Sequence, residues 1–177
     1  MEQLFTKRLI LRPLKQSDFE LYNALYSNDT VMQYIGPVWS RARVEQEFSL
    51  YIAPWFDEEG QWLSYAINYN SQTVGVVGLK LVSKSDNRRE LGYMLLPEFF
   101  KLGIAYEAAK AVVDYAFNIL GTHKLIAVCD NRNQASKTIL NKLGFDQEGL
   151  LKEQFKFNGE WIDDALYGLL EKHYFDG

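Results

Sequence analysis

The chain is poor in the residues that staple, interrupt or anchor a protein. It has one cysteine, Cys129, so no internal disulfide can form, and a reducing cytoplasm is the expected compartment. Only 4 prolines and 12 glycines occur in 177 residues, without repeats or low-complexity runs, so nothing reads as a linker. No apolar run approaches the ~18 residues of a membrane span. Lys7-Arg8 follow the start with no apolar stretch behind them, so no secretory signal is expected either. Basic residues are not in excess: 19 Lys and Arg stand against 23 Asp and Glu, a net charge of −4. That balance disfavours a nucleic-acid footprint and mildly favours cationic partners. The two histidines, His123 and His173, have no second ligand at metal spacing, so no metal site is expected. Cys129 sits in an apolar stretch that reads as an inert buried thiol.

Apolar residues make up 47% and charged residues 24%, the mixture of an ordinary globular protein, and the length suits one domain over 1–177. Leu9 to Leu14 reads as a strand. Ser17 and Glu20 have capping-box spacing ahead of a helix carrying Phe19, Tyr22, Leu25 and Tyr26 on one face. A second helix is expected over 41–57, from Val44, Phe48, Tyr51, Ile52 and Trp55. The period then becomes two. Leu63, Tyr65, Ile67 and Tyr69 alternate, Asn70-Ser71-Gln72 turns the chain, 73–82 returns it, Asp86-Asn87 turns it again, and 90–96 ends at Pro97.

In the second half helix and strand alternate. A long helix is expected over 103–120 with Ile104, Ala108, Ala111, Val112, Tyr115 and Ile119 inward and Gly121 past its end. The continuous apolar run Leu125 to Cys129 reads as a strand buried on both faces. Asn133 can cap a helix whose inner face is Ala135, Ile139 and Leu143, ended by Gly144. The stretch 148–170 reads as two strands about Asn158-Gly159. The sum is an α+β domain whose sheet is antiparallel early and has parallel neighbours around the long helix.

The stretch Leu96 to Glu107 carries chemistry. A strand ends at Pro97 and a glycine turn, Lys101-Leu102-Gly103, opens the long helix. The first turn of a helix presents free N–H groups where the macrodipole favours an anion, and a diphosphate would fit. A plain strand-to-helix turn is the alternative. Further landmarks follow in order: Arg8-Leu9-Ile10-Leu11-Arg12, Glu90-Leu91-Gly92-Tyr93, Gly103 to Ala108, and Asn133, Ser136 and Gly144-Phe145, with Trp161 and Asp163 behind the hairpin. With these the chain resembles, over nearly its whole length, the GNAT superfamily of acyl-CoA-dependent N-acetyltransferases. It is most similar to the RimJ and RimL branch, named for enzymes that acetylate the N-termini of ribosomal proteins.

The resemblance implies a single GNAT-type domain with a mixed, mostly antiparallel sheet of about six or seven strands flanked by helices. It implies acetyl-CoA as co-substrate, with no metal. The family's loop pattern maps to Phe100 through Ala105, where Phe100 departs from the usual Gln or Arg. Main chain at Lys101, Leu102, Gly103, Ile104, Ala105 and Tyr106 would hold the diphosphate. Tyr93, Met94 and Leu95 would pair with the pantetheine arm as an added strand, with Asn133 bonding the arm near the thioester. A backbone N–H near Met94 or Leu95 would receive the acetyl oxygen.

A protonated amine cannot attack a thioester. Glu90, on the strand beside the acyl site, is the expected base, the alternative being a surface pair with Arg88 or Arg89. Many relatives protonate the leaving thiolate from a Tyr at the place of Leu140; Ser136 is the substitute this branch suggests, the alternative being a first-turn serine bonded to backbone. Asp163-Asp164 could be paired catalytic carboxylates, though capping or pairing within the fold is the plainer reading. Tyr34, Trp39, Trp55 and Trp161 are candidates for walls of an acceptor pocket or for ordinary packing.

No activated Ser or Cys with a His partner is evident, so direct attack by the amine in a ternary complex is expected. The acceptor would be an amine-bearing peptide, a protein N-terminus or a small molecule, and a homodimer is the assembly the family suggests. The rival is a catalytically weak acyl-CoA-binding sensor of the same fold, given weight by Leu140 and Phe100. A nucleotide-binding module would need a phosphate-loop Lys-Ser/Thr pair or a dinucleotide fingerprint, and neither is present.

Overall fold

The two positive-φ turns foreseen from sequence organise the sheet. Asn70 and Ser71 (φ 49° and 64°) join one pair of strands, and Asn158 and Gly159 (φ 50° and 85°) join another. Both central residues of each loop are left-handed, the backbone whose twist matches that of paired strands. The structure, a computed structural model, describes residues 2–176. Its elements in chain order are β1 (Leu4–Phe5), β2 (Leu9–Pro13), α1 (Phe19–Tyr26), α2 (Asp29–Met32), α3 (Arg41–Tyr51), β3 (Trp62–Tyr69), β4 (Gln72–Ser83), β5 (Arg88–Leu95), α4 (Ile104–Asn118), β6 (Lys124–Asp130), α5 (Gln134–Lys142), β7 (Asp146–Phe157), β8 (Glu160–Leu170) and α6 (Glu171–Asp176).

The eight strands form one sheet in the order β1-β2-β3-β4-β5-β6-β8-β7. The β5–β6 pair is parallel and every other pair antiparallel. This is the expected α+β architecture; the strand beyond the seven read from sequence is the two-residue β1.

Helix α4 packs on one face. Its buried residues include Ala108, Ala109, Val112, Val113 and Ala116, and they join Leu11, Tyr65, Ile67 and Val77 of the strands. The alanines let the helix lie close to the sheet. A second cluster of Leu14, Tyr22, Val44, Phe48 and Ala66 holds α1 and α3 to the opposite face.

Several local expectations are corrected. The capping box at Ser17 and Glu20 does not form. Buried Asp18 instead accepts from the Lys15 N–H at 2.9 Å and from Arg12 at 2.6 and 2.7 Å, while Glu20 pairs with Arg41. Helix α3 stops at Tyr51 rather than residue 57, because Pro54 follows and the residues before a proline disfavour helical backbone. On α4 the inner face is rotated from the expected one: Ile119 lies beyond the helix and is exposed, while Ala109, Val113 and Phe117 are buried.

Strand β6 is not buried on both faces. Leu125 and Ala127 are buried, but Val128 is exposed. On α5 Leu140 is buried, as is Leu143 at its C-cap, while Ala135 is exposed. These two departures have one cause. The β5–β6 ladder holds only Arg88↔Lys124, Arg89↔Leu125 and Glu90↔Ile126. Beyond Glu90 and Ile126 the strands separate, and both line the opening.

Candidate active site

The opening between β5 and β6 is a cleft of about 460 Å³. Its edges are main chain. Each strand keeps one neighbour, β4 for β5 and β8 for β6, so on the side facing the gap their N–H and C=O groups lack a ladder partner. An extended ligand with amide groups can fill such an edge.

One end of the cleft is the turn before α4. Lys101 (φ 62°) and Gly103 (φ 75°) are both left-handed. Gly103 is the N-cap and offers no side chain to the helix. The first backbone bond back to it is Glu107 N–H to Gly103 O at 3.1 Å, so the amides of Ile104, Ala105 and Tyr106 have no helical acceptor.

Arg8 fixes this turn from outside. It donates through Nη1 to Leu102 O at 3.0 Å and through Nε to Glu107 at 2.7 Å, and Thr6 Oγ1 donates to the same carboxylate at 2.6 Å. Burial pushes the Glu107 acid up, but the Thr6 and Arg8 bonds outweigh it and leave it below the usual range. The first landmark arginine is thus a brace for the turn, a role the sequence reading did not assign to Arg8 or Glu107.

The middle of the cleft brings together Tyr93 from β5 and Ser136 from α5. Their hydroxyls are 2.8 Å apart. Burial raises Tyr93, partly opposed by the Ser136 bond, to about 12, so the phenol stays protonated at neutral pH. Asn133 caps α5, its Oδ1 accepting from Ser136 N–H at 3.0 Å. The Ser136 hydroxyl therefore faces Tyr93 rather than backbone alone, which corrects the first-turn alternative. Cys129 also lines the cleft and is half-buried, with burial pushing its thiol up. Leu140 is buried on the cleft wall and supplies no acid there.

Glu90 lies at the point where β5 leaves β6. Its partner is neither Arg88 nor Arg89. Arg89 is buried against Asp57 at 2.8 Å, and Arg88 lies 3.7 Å from Asp86. Glu90 accepts instead from Lys80 Nζ at 3.1 Å, directly across the β4–β5 ladder. Tyr93, Met94, Leu95, Lys101, Ala105, Asn133 and Ser136 all line the same cleft as Glu90. Leu102, Gly103, Ile104 and Tyr106 supply the adjoining turn, and Phe100 is on the wall.

The far end is aromatic: Tyr22, Tyr26, Tyr34, Tyr51 and Trp62. Of the aromatics singled out from sequence only Tyr34 is here. Trp39 stacks on Tyr26 at 4.2 Å, Trp55 packs on the main core and Trp161 is exposed. Tyr22 and Tyr26, four apart on α1, were legible as one helix face but not as a wall. Asp163 accepts from Glu153 N–H at 2.8 Å within the hairpin, and neither Asp163 nor Asp164 reaches the cleft. Among the described residues no helix is long and apolar enough to cross a membrane, and no group of three or more His, Cys, Asp or Glu could hold a metal ion.

Comparison with known proteins gives this geometry a context. The sequence profile described as acetyltransferase (GNAT) domain matches residues 8–146. The uncharacterized N-acetyltransferase YoaA of Bacillus subtilis is 32% identical over 171 residues, 95% of this chain and 96% of that one. The spermidine N(1)-acetyltransferase of Escherichia coli K12 is 31% identical over 164 residues, 93% and 87% of the two chains. Among solved structures, a GNAT-family acetyltransferase from Bacillus anthracis aligns with a TM-score of 0.82 at 25% identity, covering 97% of this chain and 99% of that one. A spermidine N-acetyltransferase from Vibrio cholerae, solved with CoA and spermine, shares the fold with a TM-score of 0.84 at 24% identity, covering 96% and 99%.

Proposed function

The chain belongs to the GNAT acetyltransferase family and is an N-acetyltransferase, and from that premise we propose that it moves an acetyl group from acetyl-CoA to a primary amine, bound together in the β5–β6 cleft. One observation carries the reading: the gap between the strands runs up to a helix start whose first amides have no acceptor and no side-chain cap. A two-phosphate group at that helix start and an amide-bearing arm along the strand edge match the two ends of coenzyme A. A protein of the same fold has been solved with CoA, which supports the choice of coenzyme.

In this reading the amides from Lys101 to Tyr106 take the diphosphate. Main chain at Tyr93, Met94 and Leu95 pairs with the pantetheine arm, and Asn133 donates to it through Nδ2, since Oδ1 is committed to the α5 cap. The acetyl oxygen lies against an N–H near Met94 or Leu95. Glu90 accepts the proton of the ammonium, directly or through water, and the neutral amine attacks the thioester carbon. The tetrahedral intermediate collapses by breaking the C–S bond. Ser136 delivers a proton to the departing thiolate and takes back the second proton that the attacking nitrogen must shed, so the products are the neutral amide, the CoA thiol and the proton held on Glu90. Phe100 removes one polar contact from the turn but none of the backbone donors.

The order of the landmarks supports a RimJ/RimL-like branch and hence a peptide or protein α-amine. The spermidine-named relative supports a small amine. The proposal covers a single acetyltransferase domain over 1–177, working in a reducing cytoplasm as a homodimer. Calorimetric titration with CoA, followed by thiol release from acetyl-CoA with a panel of amines, tests it. Binding with release for at least one amine is the expected result. Tight binding with no release for any amine would support the sensor reading instead, and absence of binding would remove both.

A further inference from the structure

The acceptor end of the cleft has a composition of its own. The rings of Tyr22 and Tyr26 lie 4.6 Å apart, those of Tyr22 and Tyr51 5.3 Å, and those of Tyr51 and Trp62 6.2 Å. The Trp62 indole comes close over β5 because residue 92 is glycine: a Cβ there would come within 2.9 Å of the ring. Glycine in the Glu90-Leu91-Gly92-Tyr93 landmark thus makes room for a wall.

Charge is almost absent. Among the described residues that line the whole cleft, only Glu90 and Lys101 carry a formal charge, and Lys101 belongs to the opposite end, at the turn before α4. Glu90 is already matched by Lys80. The same lysine ammonium stands 5.7 Å from the Trp62 ring centre, so a ring well suited to a cation already has one. One polar group is unspent. The Tyr22 hydroxyl is buried and makes no hydrogen bond of ordinary geometry, although the Tyr26 and Tyr51 phenols stand beside it. Burial, reinforced by Tyr26 and Tyr51, pushes its ionisation well above the ordinary phenol range, so it stays a neutral donor. A buried hydroxyl left unsatisfied calls for a partner, and here a ligand in the cleft can supply it.

We propose that the acceptor is a singly charged amine carried on an apolar, ring-stacking body, oriented by a hydrogen bond to the Tyr22 hydroxyl, and not a polyamine. The inference rests on the acetyl-transfer reading and names the substrate class of that site. The amine sits near Glu90, where it loses its proton before attack. The body lies among Tyr22, Tyr51 and Trp62, where burial of apolar surface supplies the binding. A second ammonium further along would enter a lining that holds no carboxylate besides Glu90: Glu47, which bears on Tyr26 and Tyr51, lies outside it, and Glu160 beyond Tyr34 is held by Arg132. Burying an unpaired charge is strongly unfavourable. The body could belong to a small aryl amine or to the first residue of a peptide; the chemistry recognised is the same.

The test is the full-length protein at saturating acetyl-CoA, with thiol release read for five probes: 2-phenylethylamine, tyramine, spermidine, and short peptides beginning with Phe or with Ser. Both ring-bearing amines should exceed spermidine in kcat/KM by about tenfold or more, and the Phe peptide should exceed the Ser peptide if a peptide is the source. Tyr22→Phe keeps the ring and removes only an unpartnered hydroxyl, so folding and CoA titration should match the wild type. It should lower kcat/KM for tyramine by roughly tenfold, the worth of one hydrogen bond, and by clearly less for 2-phenylethylamine, whose ring offers the hydroxyl no partner. Preference for spermidine or the Ser peptide over both ring-bearing amines overturns the inference, as does an equal effect of Tyr22→Phe on both small amines, while acetyl transfer stands. Failure to bind CoA, or no release with any probe, strikes the acetyl-transfer reading itself.

Discussion

A carboxylate and a hydroxyl face the reacting atoms in the proposed mechanism. Glu90→Gln keeps shape and hydrogen bonding but cannot take a proton. Ser136→Ala removes the hydroxyl bonded to Tyr93. Acid–base assistance is typically worth ~10²–10⁴ in rate, so each variant should lose about 10² or more in kcat with its CoA titration unchanged. Wild-type turnover in both would end the assignment. Away from the cleft, Asp18 makes a pH-dependent contribution. Burial raises its acid, but the Arg12 and Lys15 bonds outweigh it, so the net shift is downward from 3.8. The unfolded chain therefore binds the proton more readily. The stabilisation is complete above the ordinary carboxylate value and is lost as pH falls through the depressed native one. Asp18→Asn should cost about 3 kcal/mol at neutral pH, because it leaves Arg12 without its partner in a largely buried place. Melting curves from pH 6 downward should show the wild type converging on the flatter variant. At this scale Glu90 could be named as a candidate from residue type and position, and Ser136 from the family resemblance; both line the cleft. Their partners Lys80 and Tyr93 were not: Lys80 depends on the β4–β5 register, which slips between Leu81 and Ser83, and Tyr93 meets Ser136 only once α5 has docked beside β5.

Among elements, the turn into α4 holds the most consequence. A side chain at Gly103 would have to adopt φ 75°, which costs an L-residue about 1–2 kcal/mol, and its Cβ would stand 3.4 Å from Arg8 Nη2. Gly103→Val should lower the urea midpoint by that free energy divided by an unchanged m-value. It should also weaken CoA binding in calorimetry, since relaxing the strain re-aims the first amides of the helix. A variant binding CoA as tightly as the wild type would show that the turn does not hold the coenzyme. Elements with a local cause were read well: the left-handed pairs at Asn70-Ser71 and Asn158-Gly159, the Asn133 cap, the long helix. Those decided by distant partners were misread. The cap foreseen at Ser17 and Glu20 gives way to Asp18 held by Arg12, a residue on β2, and to Glu20 paired with Arg41. The inner face of α4 follows where β4 and β5 lie rather than its own strongest apolar stripe.

At the scale of the molecule, alternation and turn chemistry gave the class and the antiparallel early sheet, and an apolar stretch gave β6. No local pattern could announce that β5 and β6 part company after Glu90 and Ile126, because nothing in either strand breaks it; the separation exists only once both are in one sheet. The consequence is mechanical. The sheet is two wings, β1 to β5 and β6 to β8, stitched at one corner by the Arg88–Glu90 and Lys124–Ile126 segments. A molecule laid along the open seam acts as a splint. At 100 times its Kd, CoA should add about 2.7 kcal/mol, a rise in Tm of roughly 5–10 °C for a chain of this size, and hydrogen exchange should slow in Leu91–Leu95 and Ala127–Asp130 together. Slowing in one wing alone would mean that the ligand leans on a single half and leaves the two free to flex.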